Sequence, residues 1–339
     1  MAAIPDADPP RRPARIAVVD LARGMAIVAM VVYHTAFDLA GNGLIATDVA
    51  TDIHWKVFAR TIAGTFLALV GIGLVLASRN GLNWRAYLRR LAFIAGGAAL
   101  VSIATFWFDR TTFVFFGILH EIALASVLAL PFLWAPVWLT ALAAAALIVA
   151  PLGSPLALSF AWGPIAFTLA PLASPVFDQP WLWWVGLSTV TPVTIDYVPV
   201  FPWFGVVLAG VVLGRMGLPY AERLAAVQPR DVVSRLLMLA GRWSLAIYLV
   251  HQPLIVGALY VFTLLNPPSE AFLRERWVGQ CTPACVGDRT EQACTTLCGC
   301  LFNGLYGTDL YSMRATTDMT PEQQTRWDAL VDRCRAAAP

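Results

Sequence analysis

The chain has 339 residues, of which 58% are hydrophobic and only 13% are charged, with a mean hydropathy of +0.68. Average soluble domains are about half apolar and about a quarter charged, so this composition excludes an ordinary soluble enzyme and predicts an all-α polytopic membrane protein. The formal net charge is only +2, and no basic stripe suggests a nucleic-acid partner.

The N-terminal residues 1–14 contain prolines and arginines without apolar periodicity, and we predict a disordered cytoplasmic tail there. A membrane domain is predicted over residues 15–265, because seven apolar runs in it approach the ~20 residues that cross a bilayer. These runs are residues 16–39, 57–77, 88–108, 113–134, 137–151, 198–213 and 236–265. Residues 156–172 are also apolar, but prolines and glycine interrupt them, and we interpret them as interfacial or re-entrant.

The distribution of arginine predicts the orientation of the membrane domain. Every second connection between apolar runs is rich in arginine, and the others carry few basic residues. By the positive-inside rule the arginine-rich side is cytoplasmic. Seven crossings then place the N-terminus in the cytoplasm and the C-terminus in the periplasm of a bacterial inner membrane. The arginines concerned are Arg11, Arg12, Arg15, Arg79, Arg85, Arg89, Arg90, Arg215, Arg223, Arg230 and Arg235.

The first apolar run contains ionisable residues, which cost at least a few kcal/mol at membrane depth and are therefore usually functional. Arg23 and His34 are eleven residues apart, so they share nearly the same helix face about 16 Å apart. Asp20 and Asp38 extend this face in the two directions. We predict that this helix face lines an active site. An interhelical hydrogen bond from His34 and a simple interfacial ion pair between Asp20 and Arg23 are the structural alternatives.

The other polar candidates fall into groups by their predicted depth in the membrane. The candidates for acid–base chemistry near the outer side are His34, Asp38, His120 and His54, the last in the outer loop before the second run. The candidates for substrate binding are Asp196, Tyr197, Trp203, His251 and Gln252. The candidates for binding an anionic cofactor at the cytoplasmic ends are Arg23, Asp20, Arg89, Arg90 and Arg242. Structural roles stay open for His120 and, beside the helix-breaking Pro253, for His251 and Gln252.

The tail over residues 266–339 is predicted to be an extracytoplasmic, cysteine-rich helical module. It holds all six cysteines, in the spacing C-x3-C, eight residues, C-x3-C-x-C, and one more. An oxidising compartment favours disulfides, and two C-x3-C turns can be stapled face to face. A zinc or iron–sulfur site is the alternative, but no histidine lies in the tail and the oxidising compartment favours disulfides, so no metal is predicted. The disulfide candidates are Cys281, Cys285, Cys294, Cys298, Cys300 and Cys334.

The tail also contains a strong helix-start signal at residues 320–323. Thr320 is a good N-cap, Pro321 fits the first helical turn, and Gln323 completes a capping box. We therefore predict that a helix begins here.

Four motifs carry a resemblance to a known family. They are Asp20-x-x-Arg23-Gly24 with His34, the segment 116–124 around His120, the segment 196–205, and the segment 241–253 that ends in Tyr-Leu-Val-His-Gln-Pro. In this order, over about residues 15–265, the chain resembles the bacterial branch of the heparan-α-glucosaminide N-acetyltransferase-like membrane family. The Arg-x10-His pattern alone is also similar to the first helix of acyltransferase-3 membrane enzymes.

This resemblance implies a transmembrane acyltransferase that takes an acetyl group from cytoplasmic acetyl-CoA. The acceptor would be a sugar amine or hydroxyl of an extracytoplasmic glycan or glycolipid. His34, oriented by Asp38, would take the acceptor's proton, with direct transfer and an acetyl-histidine intermediate both open. In the family the catalytic histidine lies in the outer loop after the first span, which implies His54 as an alternative. A secondary transporter and a non-enzymatic membrane assembly protein are the alternatives from other classes.

Overall fold

The computed structural model describes residues 16–45, 47–149, 173–226, 229, 231–267, 269–287, 289–312 and 319–338. The predictions for residues 1–14 and 156–172 therefore fall outside the described residues. The described chain is helical, as predicted from its composition. Its helices are α1 Ala17–Gly41, α2 Ile53–Ser78, α3 Trp84–Phe108, α4 Ile118–Leu128, α5 Val137–Val149, α6 Val200–Gly217, α7 Ala221–Ala226, α8 Val232–Arg242, α9 Ser244–Leu265, α10 Glu270–Cys285, α11 Glu291–Leu305 and α12 Pro321–Ala336.

Within the described residues, five helical segments are long and apolar enough to cross a membrane: α1, α2, α3, the run Val200–Ala226 and α9. The helices in the fourth and fifth predicted runs are shorter than a membrane span, because α4 has 11 described residues and α5 has 13. Proline explains the break between them, since Pro131 opens a 3-10 turn and Pro136 precedes α5. The structure confirms a chain with several apolar helices, while the count of seven crossings stays a prediction.

The last predicted run also differs from the structure. Residues 236–265 are divided at Trp243, where α8 ends at Arg242 and α9 begins at Ser244. The α8 segment has few apolar residues outside one face, whereas α9 is apolar nearly all round. Only α9 therefore has the composition of a membrane span.

The described residues divide into two compact units. The first contains the residues up to His34 and Ala50–Pro253, and the second contains Thr35–Val49 and the residues from Leu254 onward. The first unit holds the largest buried cluster, in which Leu67, Val207 and Leu208 are fully buried.

Glycine allows close packing of α2 on α6 in the first unit. A Cβ at Gly71 would collide with the carbonyl oxygen of Val207, and one at Gly210 would collide with that of Ala68. Small residues at such crossings let helix backbones approach each other, which is the main source of van der Waals contact between membrane helices.

A second close crossing joins α1 to α8. A Cβ at Gly24 would collide with the carbonyl oxygen of Leu237, and one at Gly241 would collide with that of Asp20. Gly24 follows Arg23 and Gly241 precedes Arg242. The crossing therefore brings two arginines from distant parts of the sequence together.

Replacing Gly24 by alanine should destabilise the protein, because the methyl group would force α1 and α8 apart. Overpacking of this kind costs ~1–3 kcal/mol. Thermal unfolding of the full chain in detergent would show a lower midpoint for Gly24→Ala. Gly96→Ala is the matched control, since a Cβ there meets no described atom within 4 Å and removing a mid-helix glycine is stabilising. Equal midpoints for Gly24→Ala and the unchanged chain would contradict the packing account.

The second unit is built on three disulfides. Cys281–Cys298 and Cys285–Cys294 join α10 to α11, and Cys300–Cys334 joins α11 to α12. The cysteines of each C-x3-C pair lie on one helix face, so the predicted stapling of two helical turns is confirmed. Phe302, Leu305 and Leu330 fill the small core that the disulfides enclose.

The predicted capping box at the start of α12 is also present. The backbone N–H of Gln323 donates to Thr320 Oγ1 at 3.3 Å, and the Thr320 N–H donates to Gln323 Oε1 at 2.9 Å. The Gln323 amide also donates to Asp309 Oδ2 at 3.0 Å, and Arg326 pairs with Asp309 Oδ1 at 2.7 Å. These hydrogen bonds lower the pKa of the Asp309 carboxyl.

Asp309→Asn should lower the thermal midpoint of the second unit more at pH 7 than at pH 3. A carboxyl whose pKa is depressed in the folded state contributes stability above its unfolded pKa of about 4, and the contribution is lost as the pH falls through the folded pKa. Thermal unfolding of the full chain at both pH values measures the difference. Asp332→Asn is the matched control, because Asp332 is 78% exposed and lies 3.9 Å from its arginine. A deficit for Asp309→Asn that is as large at pH 3 as at pH 7 would contradict this explanation.

Candidate active site

A cavity of about 1000 Å³ lies in the first unit, walled by residues of α1, α2, α3, α4, α8 and α9. Its described lining contains one acidic side chain, Asp20. The basic side chains of the lining are Arg23, Arg85, Arg89, Arg90 and Arg242. This excess of guanidinium groups suits a ligand with several negative charges, because guanidinium binds phosphate in bidentate fashion.

Asp20 links the arginines of two helices at the α1–α8 crossing. Its carboxylate lies 3.3 Å from Nε of Arg242 and 3.8 Å from Nη1 of Arg23. Sequence analysis placed these three residues in one cofactor site, and the structure brings them together. Asp20 neutralises only part of the positive charge around it.

Gly73 of α2 leaves room for the guanidinium groups of Arg23 and Arg90. A methyl group at Gly73 would lie 2.9 Å from Nη2 of Arg23 and 3.8 Å from Nη1 of Arg90. Among the described residues, no carboxylate lies within the 4.0 Å ion-pair distance of Arg90. Two neighbouring guanidinium groups repel each other, and Asp20 pairs only with the Arg23 member of this pair, so an anion between them would reduce the repulsion. The cavity is therefore prepared for an anion at this point.

Two histidines from distant parts of the sequence lie next to each other, outside the lining of the cavity. The ring centroids of His34 in α1 and His251 in α9 are 5.0 Å apart, with an angle of 62° between the planes. The ring of Tyr248 lies 5.8 Å from His251 and also lines the cavity. The arginine cavity and the histidine pair are thus joined through Tyr248.

Asp196 connects three of the sequence motifs. Its Oδ2 accepts a hydrogen bond from the backbone N–H of Ile118 at 3.0 Å, and its carboxylate accepts one from the hydroxyl of Tyr248. A Cβ at Gly117 would collide with the Asp196 carboxylate, so glycine is required at the start of α4. Burial raises the pKa of the Asp196 carboxyl, and the two hydrogen bonds partly oppose that rise. Asp196 therefore fixes Tyr248 at the end of the cavity.

His120 is held by hydrogen bonds at both ring nitrogens. The N–H of Gly117 donates to Nδ1 at 3.2 Å, so the proton of the neutral ring is on Nε2, 3.1 Å from Ser102 Oγ. Ser102 donates in turn to the carbonyl oxygen of Val114 at 2.6 Å. These hydrogen bonds connect α3 to α4 through His120, and a catalytic role for His120 stays a prediction.

The other predicted site residues lie apart from the histidine pair or at its edge. His54 is exposed in the first turn of α2, where its N–H donates to Asp52 at 2.9 Å. Asp38 follows His34 by one helical turn in α1. The hydroxyl of Tyr197 donates to the carbonyl oxygen of Trp183 at 2.6 Å. The half-buried side chains of Trp203 and Gln252 lie in α6 and α9.

Sequence analysis missed two contributors to the site. Arg85 had been assigned only to topology, yet it lines the cavity with Arg89, four residues later and on the same face of α3. Tyr248 lies in the motif 241–253, which by itself indicates no role for it. Its spacing of three residues from His251 places both side chains on one face of α9, and this spacing was the available signal.

The motifs that meet at this site are also those of a known family. A family model described as heparan-alpha-glucosaminide N-acetyltransferase, catalytic, matches residues 15–253. The chain belongs to this family. No curated protein and no solved structure matches the chain. The family match contains every residue of the arginine cavity and the histidine pair, and it ends before the cysteine-rich tail. Membership of the family identifies a membrane acetyltransferase.

Proposed function

We propose that this acetyltransferase takes the acetyl group of cytoplasmic acetyl-CoA and delivers it to an acceptor on the periplasmic side of a bacterial inner membrane. The observation that carries the proposal is the single path formed by the arginine cavity, Tyr248 and the histidine pair. Acetyl transfer from a nucleotide-bearing thioester requires a site that binds the phosphates and, connected to it, a group such as imidazole that can accept a proton.

The cavity supports acetyl-CoA as the donor. Its volume of about 1000 Å³ is at the upper end of the ~300–1,000 Å³ typical of small-molecule sites, as an elongated donor needs. Arg23, Arg90 and Arg242 would hold the 3′-phospho-ADP part, with Arg85 and Arg89 adding charge at the lining. Acetyl-CoA supplies the reactive thioester carbonyl.

His34 is the proposed proton acceptor for the incoming amine or hydroxyl, a role worth about 10²–10⁴-fold in rate. Asp38 would hold the tautomer of His34 from the next helical turn. His54 is the alternative that the family pattern implies. Asp196 would keep Tyr248, and through it the end of the cavity, in place.

The orientation proposed here rests on the arginine-rich connections. Arg79 follows α2 and Arg85 and Arg89 lie in the first turns of α3, while Arg215 lies in the last turn of α6 and Arg223 in α7. The positive-inside rule puts these segments in the cytoplasm, on the same side as the arginine cavity. The disulfide-bonded second unit would then lie in the oxidising periplasm. The acceptor would be a sugar amine or hydroxyl of an envelope glycan or glycolipid.

The direct test uses the purified full chain in lipid nanodiscs with radiolabelled acetyl-CoA and a panel of amino sugars and neutral sugars. We expect saturable acetyl-CoA binding and transfer of label to at least one sugar class, with amino sugars the first candidates because the family's name refers to a glucosaminide. Absence of both binding and transfer would contradict the proposal.

A further inference from the structure

The histidine pair has an asymmetry that points to separate roles for its two members. Nδ1 of His251 lies 2.7 Å from the backbone carbonyl oxygen of Tyr248. A carbonyl oxygen only accepts hydrogen bonds, so Nδ1 carries the hydrogen and, in the neutral ring, Nε2 carries a lone pair. His251 therefore presents Nε2 as a proton acceptor.

This acceptor nitrogen is buried and unsatisfied. Nε2 of His251 has no hydrogen-bond partner within the described part of the chain, and the residue is 8% exposed. Leaving a buried acceptor without a donor costs about 1–3 kcal/mol, so such a group in a folded protein calls for a functional explanation. The ring beside it is His34, at 5.0 Å between centroids.

His34 is the more accessible member of the pair. It is half-buried, and its ring lies edge-on to Tyr33 at 5.5 Å. Rotation of its imidazole about the Cβ–Cγ bond can turn a ring nitrogen toward Nε2 of His251. Two imidazolium charges at this separation would repel each other, which favours one shared proton over two.

We propose that His34 and His251 form a proton-sharing pair in which His251 is a positioning residue that orients His34 and accepts its proton through Nε2. This inference rests on the proposed acetyltransferase function and adds the residue that stores the proton during transfer. His251 had been assigned to substrate binding from its sequence motif, and the structure points to a different role.

The transfer moves one proton from the acceptor to the departing thiolate by way of the two histidines. As the acceptor nitrogen or oxygen forms its bond to the acetyl carbon, the carbon–sulfur bond of the thioester breaks and the acceptor loses one proton to His34. His34 passes a proton to Nε2 of His251, which becomes imidazolium. That proton returns through His34 to the departing thiolate, so the pair ends in its starting state.

The variant His251→Asn tests the proton-accepting role of His251 separately from its structural hydrogen bond. An asparagine amide can still donate to the Tyr248 carbonyl, but it has no basic nitrogen. We expect kcat to fall about 10–100-fold, as for loss of residues that orient a reactive group, with the KM for acetyl-CoA and the thermal midpoint unchanged. If the asparagine variant does not fold, His251→Gln is measured by the same criteria. An unchanged kcat in a folded variant would overturn the proposal.

A double-mutant cycle tests the pairing itself. His34→Ala with His251→Asn should lose no more kcat than His34→Ala alone, because His251 acts through His34. Multiplied losses in the double variant would show independent roles and overturn the pair. Failure of the proposed acetyltransferase function would be distinguishable from failure of the pair, because the unchanged chain would then neither bind acetyl-CoA nor transfer its acetyl group.

Discussion

Arg90→Gln should weaken the binding of acetyl-CoA about 10–100-fold. Arg90 has a guanidinium neighbour across Gly73 and no carboxylate within ion-pair distance among the described residues, so its charge is available to the ligand. A hydrogen bond to a charged group contributes about 1.5–3 kcal/mol, and every ~1.4 kcal/mol is a factor of ten in affinity. Equilibrium binding to the purified chain in nanodiscs measures the change.

Acetyl-pantetheine and Arg110→Gln provide the controls for this result. Acetyl-pantetheine lacks the nucleotide phosphates, so Arg90→Gln should leave its binding unchanged. Arg110 follows the opposite end of α3, with its guanidinium 5.4 Å from the ring centre of Phe106, and Arg110→Gln should bind acetyl-CoA like the unchanged chain. Equal weakening of acetyl-CoA and acetyl-pantetheine by Arg90→Gln would contradict a phosphate-binding role.

His34→Ala should lower kcat about 10²–10⁴-fold while the affinity for acetyl-CoA stays within twofold. The range is that of general acid–base catalysis. Binding is spared because His34 does not line the arginine cavity, whereas Tyr248 and Ile27 do. Steady-state transfer to the best sugar of the panel gives kcat, and equilibrium binding gives the affinity.

The variant His54→Ala distinguishes between His34 and His54 as the proton acceptor. His54 is exposed in the first turn of α2, and we expect its replacement to retain most of kcat. Loss of transfer in His54→Ala with activity retained in His34→Ala would move the proton acceptor to the outer loop, as the family pattern implies. Loss in both variants would make the two histidines parts of one site.

Several features of the structure follow from local sequence rules. Ionisable residues in the first apolar run, such as Arg23, stand out because a bilayer tolerates few of them. The paired C-x3-C spacings predict stapled helices because cysteines four residues apart share a face. The capping box of Thr320 and Gln323 follows from the hydrogen bonds that a helix start needs.

Other features depend on contacts between distant segments and could not be predicted. The pairing of His34 with His251 requires α1 to lie beside α9, which no local pattern encodes. The role of Tyr248 depends on a carboxylate from Asp196, more than fifty residues earlier. The close approach of α1 and α8 depends on glycines whose function appears only once both backbones are placed. Apolar run length also overestimated the fourth helix, because it ignores the break before Pro131.

The central claim is transfer across the membrane along the path from the arginine cavity to the histidine pair. Sealed proteoliposomes with the purified chain in a single, protease-mapped orientation test it directly. Radiolabelled acetyl-CoA is supplied on the face of Arg85 and Arg89, and an acceptor sugar is trapped on the opposite face. The account predicts that acetylated sugar forms on the side opposite the donor and that His34→Ala slows its formation about 10²–10⁴-fold. Acetylation of sugar only on the donor's own side would contradict the account.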